Sequence, residues 1–239
     1  MALLECEGLT RLFGGLRAVG SLSFEVGAGE IVGLIGPNGA GKTTVFNLIT
    51  GFLRPSSGSI RLDGREIAGL KPHEVTRRGV ARTFQIVKPF PGLSVRENVT
   101  LAAFLRHRSR GDAESEADGV LDRVGLAHRA DARAGELTLM DQKRLEMAKA
   151  LATAPRVLLL DEPMGGLNPS EVDVASAIVL KVRQAGVTVV LVEHVMKAIM
   201  RISDRVVVMH HGEKIAEGPP ASAVRDPAVI AAYFGHRAA

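Results

Sequence analysis

An apolar stretch, Glu30–Ile35, runs directly into Gly36-Pro37-Asn38-Gly39-Ala40-Gly41-Lys42-Thr43, and Lys42–Thr50 then carries a helical pattern. The eight residues fit G-x-x-x-x-G-K-[ST]. This order of strand, glycine-rich turn and helix constrains the chain more than any other feature in it. Glycines let successive backbone N–H groups curl around phosphate oxygens, and the following helix aims its positive end at them. In that arrangement Lys42 reaches the terminal phosphates, Thr43 offers a hydroxyl to Mg²⁺, and Thr44 adds a phosphate hydrogen bond.

A second anchor lies downstream in Arg156-Val157-Leu158-Leu159-Leu160-Asp161-Glu162-Pro163. A fully apolar strand that ends in a carboxylate delivers Asp161 to the carboxyl edge of a sheet, where the glycine-rich loop also opens. Asp161 can hold the hydration shell of Mg²⁺, and Glu162 is placed to polarise an attacking water. Around these anchors Leu22–Val26, Val157–Leu160, Val187–Val192 and Arg205–Met209 read as strands, and Gly58–Asp63 as a hairpin strand. Ser170–Gln184 and His194–Arg201 read as helices, and Gly51 is placed to cap the helix that ends at Thr50. Apolar strands alternating with helices predict a parallel sheet covered on both faces. From Ser94 to about Leu126 the pattern is helical instead, with Gly111–Asp118 read as a polar, acid-rich insert.

Composition removes several function classes. No segment approaches the roughly 18 apolar residues of a membrane span. The first residues, MALLECEG, carry acids where a secretory signal needs bases, so the chain is expected to stay cytosolic. The single cysteine, Cys6, allows no internal disulfide and no cysteine-based metal site. With no Trp and one Tyr there is little to stack on nucleic acid, and none is expected as a partner. The net charge of +4 suits anionic partners in general. Residues 71–110 concentrate nine Lys/Arg against two acids, a solvated face or a surface beside anionic lipid or a membrane subunit.

The two anchors, with the stretches between and after them, resemble the ATP-binding-cassette ATPases over nearly the whole chain, and the motifs fall in that family's order. The resemblance implies an α/β P-loop NTPase with a parallel core sheet, an N-terminal antiparallel β subdomain and a helical subdomain. Residues 1–239 would form one such domain, with the core at about 1–89 and 156–239 and the helical subdomain at about 90–155. It implies ATP and Mg²⁺ as ligands, held by Gly36, Pro37, Asn38, Gly39, Ala40, Gly41, Lys42, Thr43 and Thr44, with Thr43, Gln85 and Asp161 toward the metal. Phe13 stands where the family places an aromatic against adenine, although its spacing fits a core phenylalanine equally. Gln85, in Thr83-Phe84-Gln85, matches the glutamine that touches Mg²⁺ and links the core to the helical subdomain. Glu162 matches the catalytic carboxylate, Gly166-Leu167-Asn168-Pro169 the D-loop, and His194 the switch histidine on the γ-phosphate.

One motif departs from the family. Where the signature reads LSGGQ, this chain has Leu137-Thr138-Leu139-Met140-Asp141, followed by a helix at Gln142–Ala150. Thr138 keeps the hydroxyl, but both glycines are gone, which makes close backbone approach to a partner's nucleotide harder. Thr83-Phe84-Gln85, Gly165–Pro169, Val192-Glu193-His194-Val195-Met196 and the run Asp226–Gly235 are similar to the ATPases of branched-chain amino acid importers. Urea and amide importer ATPases and some lipopolysaccharide-export ATPases look nearly the same. The importer resemblance implies permease subunits in the membrane, a second ATPase as heterodimer partner, an external substrate-binding protein, and a peripheral position on the cytoplasmic face. It also implies that the segment after Gln85, Ile86–Val95, docks a permease helix. A soluble cassette protein or a regulatory nucleotide-binding module stands as the rival reading.

Overall fold

Each apolar strand of the central sheet sends alternate side chains into two different cores, which is why these strands read as continuous hydrophobic runs. The computed structural model describes residues 2–85 and 87–234, so Ile86 and Gly235, singled out above, lie outside the described residues. The chain opens with β1 (Ala2–Phe13) and β2 (Leu16–Gly27), then β3 (Ile31–Ile35) leads through the glycine-rich turn into α1 (Lys42–Ile49). Next come β4 (Ser57–Leu62), β5 (Arg65–Glu66), α2 (Pro72–Arg78) and β6 (Val80–Arg82). Three helices follow, α3 (Val95–Ala103), α4 (Arg110–Arg123) and α5 (Leu139–Leu151). The rest alternates: β7 (Val157–Asp161), α6 (Pro169–Gln184), β8 (Thr188–Val192), α7 (Met196–Ile202), β9 (Arg205–His210), β10 (Glu213–Gly218), α8 (Pro220–Ala223) and α9 (Pro227–Phe234).

Six strands form the central sheet in the order β10-β9-β3-β8-β7-β6, parallel except for the β9–β10 hairpin. The other four form an antiparallel sheet in the order β2-β1-β4-β5. Val32, Leu34, Leu159, Val190 and Val207 point toward α1 and the antiparallel sheet. Ile31, Leu158, Leu160, Val189, Leu191 and Val206 point the other way, into a core shared with α3 to α7. Cys6 is buried between the sheets, where burial pushes its thiol far above the ordinary range.

Local chemistry sets the element ends. Gly51 takes φ 76° just past α1, and a Cβ there would lie 2.3 Å from the Leu70 carbonyl oxygen, so glycine is required at this cap. Asp63 and Gly64 both take positive φ between β4 and β5, the backbone of a tight two-residue hairpin. The acid-rich insert needs correction, because Gly111–Asp118 lies inside α4. Ser109 caps it by accepting the Asp112 N–H at 3.1 Å. Ala113, Ala117, Val120 and Leu121 recur at i, i+4, i+7 and i+8 and are buried, while the acids look outward. Helix α5 also starts three residues earlier than the sequence pattern indicated, so Leu139, Met140 and Asp141 form its first turn. The helix read from His194 begins at Met196, which leaves His194 in the connection after β8.

Candidate functional site

Parallel registration brings the chemistry to one edge. Strands β3, β8, β7 and β6 all point the same way, so the residues that follow them meet at their carboxyl ends. After β3 comes the glycine-rich loop. Gly36 takes φ 151° and Gly41 φ 102°. A Cβ at Gly36 would lie 2.1 Å from the Met209 carbonyl oxygen, and one at Gly41 2.5 Å from that of Ala18. These two glycines therefore let the loop lie directly on the backbone of β9 and β2, which holds its amides in place. Gly39 takes φ 79°, a backbone that favours glycine, and its would-be Cβ meets nothing within 4 Å.

A cavity of about 360 Å³ lies on that concave side, lined by Asn38–Thr44, Glu162 and His194, with Leu16, Arg17, Ala18 and His211 at its far end. Lys42 is buried, and its ammonium donates to the carbonyls of Gly36 (2.6 Å) and Pro37 (3.0 Å). Burial pushes Lys42 below the ordinary lysine range, while Glu162 and then Asp161 pull it back. Phe13 does not line the cavity. It is paired in register with Leu16, is exposed, and carries Arg11 over its ring face at 4.6 Å.

Glu162 sits at the centre of the remaining groups. Its N–H donates to the Val192 carbonyl at 2.9 Å, which carries the β7–β8 ladder one residue beyond the strand and sets Glu162 beside the turn that bears His194. Gln85 Nε2 donates to Glu162 Oε2 at 2.7 Å, and His194 Nε2 donates to Glu162 Oε1 at 2.9 Å. Glu162 adopts φ 48°, an uncommon backbone for a non-glycine residue and one that surrounding contacts must hold. Catalytic sites often carry such strain. The three residues singled out from separate motifs thus share one hydrogen-bonded cluster.

Three charged residues here were not singled out as site candidates. Arg82 ends β6 and donates from Nη2 to Asp161 Oδ2 at 2.6 Å, with side chains only 6% and 5% exposed. Its Nη1 donates to Asn47 Oδ1 at 2.6 Å, and its guanidinium lies over the ring of Phe84 at 5.2 Å and that of Phe46 at 5.5 Å. Lys143, on α5, donates to the Glu162 carbonyl oxygen at 2.8 Å. Glu193, beside His194, is buried, and burial raises its carboxyl above the usual range against the opposing pull of three backbone amides and Lys143. The signal for Arg82 and Glu193 was a charge at the end of an apolar strand, the same signal that marked Asp161.

The donors fit the ligands that the loop pattern implies. Thr43 and Asp161 both line a second cavity of about 720 Å³, together with Gln85, so a hydroxyl and a carboxylate face one mouth as a hard oxygen-seeking cation requires. Among the described residues no cluster of three His, Cys, Asp or Glu could hold a metal unaided. Mg²⁺ keeps its waters and binds through one or two protein groups plus phosphate, which a hydroxyl and a carboxylate can supply.

Replacing Arg82 by Met should strand the Asp161 carboxylate without its partner and destabilise the fold by about 3 kcal/mol. Chemical denaturation should show Mg²⁺ restoring more stability to the variant than to the wild-type chain, because the cation then meets an uncompensated carboxylate. An Arg82→Met protein as stable as wild type in the presence of chelator would show that the pair carries no such weight.

Comparison with known proteins agrees with this geometry. The family model described as "ABC transporter" matches residues 19–165, and one described as "Branched-chain amino acid ATP-binding cassette transporter" matches residues 213–239. The chain is 45% identical to the high-affinity branched-chain amino acid transport ATP-binding protein of Pseudomonas aeruginosa, with 98% of each chain covered. It is 41% identical to the protein of the same description from Escherichia coli K12, again with 98% of each covered. Among solved structures, a nucleotide-free ATP-binding cassette from an ABC transporter superposes with a TM-score of 0.90 at 30% identity, covering 98% of this chain and 100% of the other.

Proposed function

Because the chain belongs to the ABC transporter family, we propose that it is the ATP-hydrolysing subunit that drives import of branched-chain amino acids. The observation that carries this reading is the single cavity that gathers Asn38–Thr44, Glu162 and His194. The backbone amides of Gly39–Thr43 and the Lys42 ammonium would neutralise the triphosphate, and Lys42 would exchange its two loop carbonyls for phosphate oxygens. When bound, Mg²⁺ would supply positive charge to the triphosphate, and Thr43, Asp161 and Gln85 would hold it. Glu162 orients and polarises the attacking water, with Gln85 and His194 fixing its two oxygens. His194 also faces the side where γ-phosphate charge develops. Little covalent chemistry falls to the protein in such a transfer, so fixed charges and geometry do most of the catalysis. The base would lie toward Leu16, Arg17 and His211, with Phe13 contributing only after a shift of the β1–β2 turn.

The domain boundaries support the same reading. β6 and β7, neighbours in the central sheet, bracket α3–α5, so the helical part would move as a unit about Gln85 and the residues near 155. The 720 Å³ cavity lies between those parts, with exposed Phe84 in its lining and exposed Phe52 packed edge-on against Phe84. We take the stretch of this groove lined by Lys88, Ala102 and Thr153, not its Thr43–Asp161 mouth, as the seat of a cytoplasmic helix of a permease. No described helix is long and apolar enough to cross a membrane, so such a subunit would anchor the ATPase at the cytoplasmic face. The assembly would include a second ATPase, paired head to tail, and an external binding protein that delivers the amino acid.

Reconstitution tests the whole reading. With permeases and binding protein in vesicles, leucine, isoleucine or valine should raise phosphate release several-fold, and urea or short amides should not. Stimulation by urea or amides alone would move the assignment to that importer class. Phosphate release that never responds to permeases would favour a cassette protein outside transport.

A further inference from the structure

One buried carboxylate hydrogen-bonds the turns that follow Glu162 and carry His194 without itself lining the active cavity. Glu193 is 2% exposed. Its Oε1 accepts the Met164 N–H at 2.6 Å, and its Oε2 accepts the N–H groups of His194 at 3.0 Å and Val195 at 3.3 Å. A single side chain therefore ties the turn that leaves Glu162 to the turn that carries His194. At the start of the same turn, Lys143 Nζ donates to the Glu162 carbonyl oxygen at 2.8 Å. Lys143 lies just past Leu139–Asp141 on α5, the turn that would face a partner's nucleotide.

Neither residue is placed there by apolar packing. Burial works against the charge of both, and each is among the influences that keep the other charged. A buried carboxylate that accepts three backbone amides is well satisfied, and losing it would orphan all three donors. The backbone it braces is the unusual one: Glu162 holds φ 48° only because its surroundings over-determine it.

We infer that Lys143 and Glu193 are positioning residues that bracket the catalytic turn, Lys143 fastening Glu162 to the signature helix and Glu193 fastening Met164 to His194. A shift of α5 against the core then pulls on the Glu162 carbonyl and changes the Glu162–His194 contact in the same chain. The second ATPase's nucleotide, by moving α5, would in this way tune hydrolysis at this chain's own site. The inference rests on Glu162 and His194 being the hydrolytic pair.

The test uses Glu193→Gln, Lys143→Met and Lys143→Arg in the assembled transporter, with amide hydrogen exchange on the full chain. Glu193→Gln and Lys143→Met should each lower kcat by about tenfold to a hundredfold, with the ATP dissociation constant within about twofold of wild type. Lys143→Arg should recover most of the rate, since it restores a donor. The double variant should lose no more than the worse single one, because the two act on one turn. Exchange at the Met164 and His194 amides should quicken in Glu193→Gln even without nucleotide, which checks the bracket independently of catalysis. Affinity and turnover falling together, Lys143→Arg no better than Lys143→Met, or unchanged exchange would overturn it. If Glu162→Gln is inactive while the bracket variants turn over normally, the bracket is wrong and the hydrolytic pair stands. If Glu162→Gln is itself fully active, the hydrolytic reading fails first and takes the bracket with it.

Discussion

Glu162→Gln should bind ATP as the wild-type chain does and release phosphate about 10²- to 10⁴-fold more slowly, the range for losing a positioned general base. The carboxylate has two acceptor oxygens, and both are engaged: Gln85 donates to one and His194 to the other. A glutamine keeps the shape but has a single carbonyl oxygen, so its amide nitrogen must face one of those donors. The variant therefore loses both the charge that polarises water and the geometry that aims it. Nucleotide affinity rests elsewhere, on the loop amides and Lys42. Lys42→Ala should show the reverse pattern, weakening ATP binding by about 2–5 kcal/mol because a buried cation leaves the triphosphate unpaired. Equilibrium binding and single-turnover phosphate release on the two variants separate these roles. A Glu162→Gln protein that hydrolyses at the wild-type rate, or a Lys42→Ala protein that binds normally, would reject the corresponding assignment.

The site was legible in the sequence wherever a functional group directly follows a fully apolar strand. Asp161 ends β7 and Glu162 follows it, His194 follows β8, and the glycine-rich loop follows β3; a parallel sheet must bring such positions to one edge. Residues whose role depends on a distant partner were not legible. Lys143 reaches Glu162 from the face of a helix, and Arg82 reaches Asp161 across two neighbouring strands. No local pattern records either meeting. Phe13, whose position in the motif order pointed to the base, pairs in register with Leu16, and it is Leu16 and Arg17 that line the cavity.

The fold followed the same rule. β3, β7, β8 and β9 could be read because both faces are buried and no alternation is needed, whereas three-residue β6 and the largely exposed β10 carry no such run. β1 could not be, because its pairing with β2 shifts register at several points and Gly8 takes φ 57°, which breaks the period of two. In α4 the acids dominate the composition, and only the spacing of Ala113, Ala117, Val120 and Leu121 reveals the buried stripe.

In the proposed assembly of two ATPases, replacing Glu162 should remove most of the turnover, whereas replacing the second ATPase's catalytic glutamate should remove little. The reason lies in the first turn of α5. Met140 stands at a signature glycine position, but its side chain is 7% exposed and packs into the main core. Asp141 pairs with Arg144 at 3.3 Å, and its N–H is capped by Thr138 at 3.2 Å. The departure that would meet a partner is therefore Leu139, 46% exposed and close over the D-loop, where a Cβ on Gly166 would lie 3.2 Å from it. In a head-to-tail pair this chain's α5 turn completes the second ATPase's site, and the second ATPase's signature completes this one. Bulk at Leu139 keeps backbone donors from the partner's γ-phosphate, and losing one such donor costs about a hundredfold or more in rate. A homodimer would carry that defect at both sites, a heterodimer at only one. Exchanging one glutamate at a time in the reconstituted transporter measures the split, and Leu139→Gly should raise the share of the second site. Equal losses from the two replacements, or a fully active homodimer of this chain on the permeases, would mean that the altered turn still serves a partner's nucleotide and that the two sites work alike.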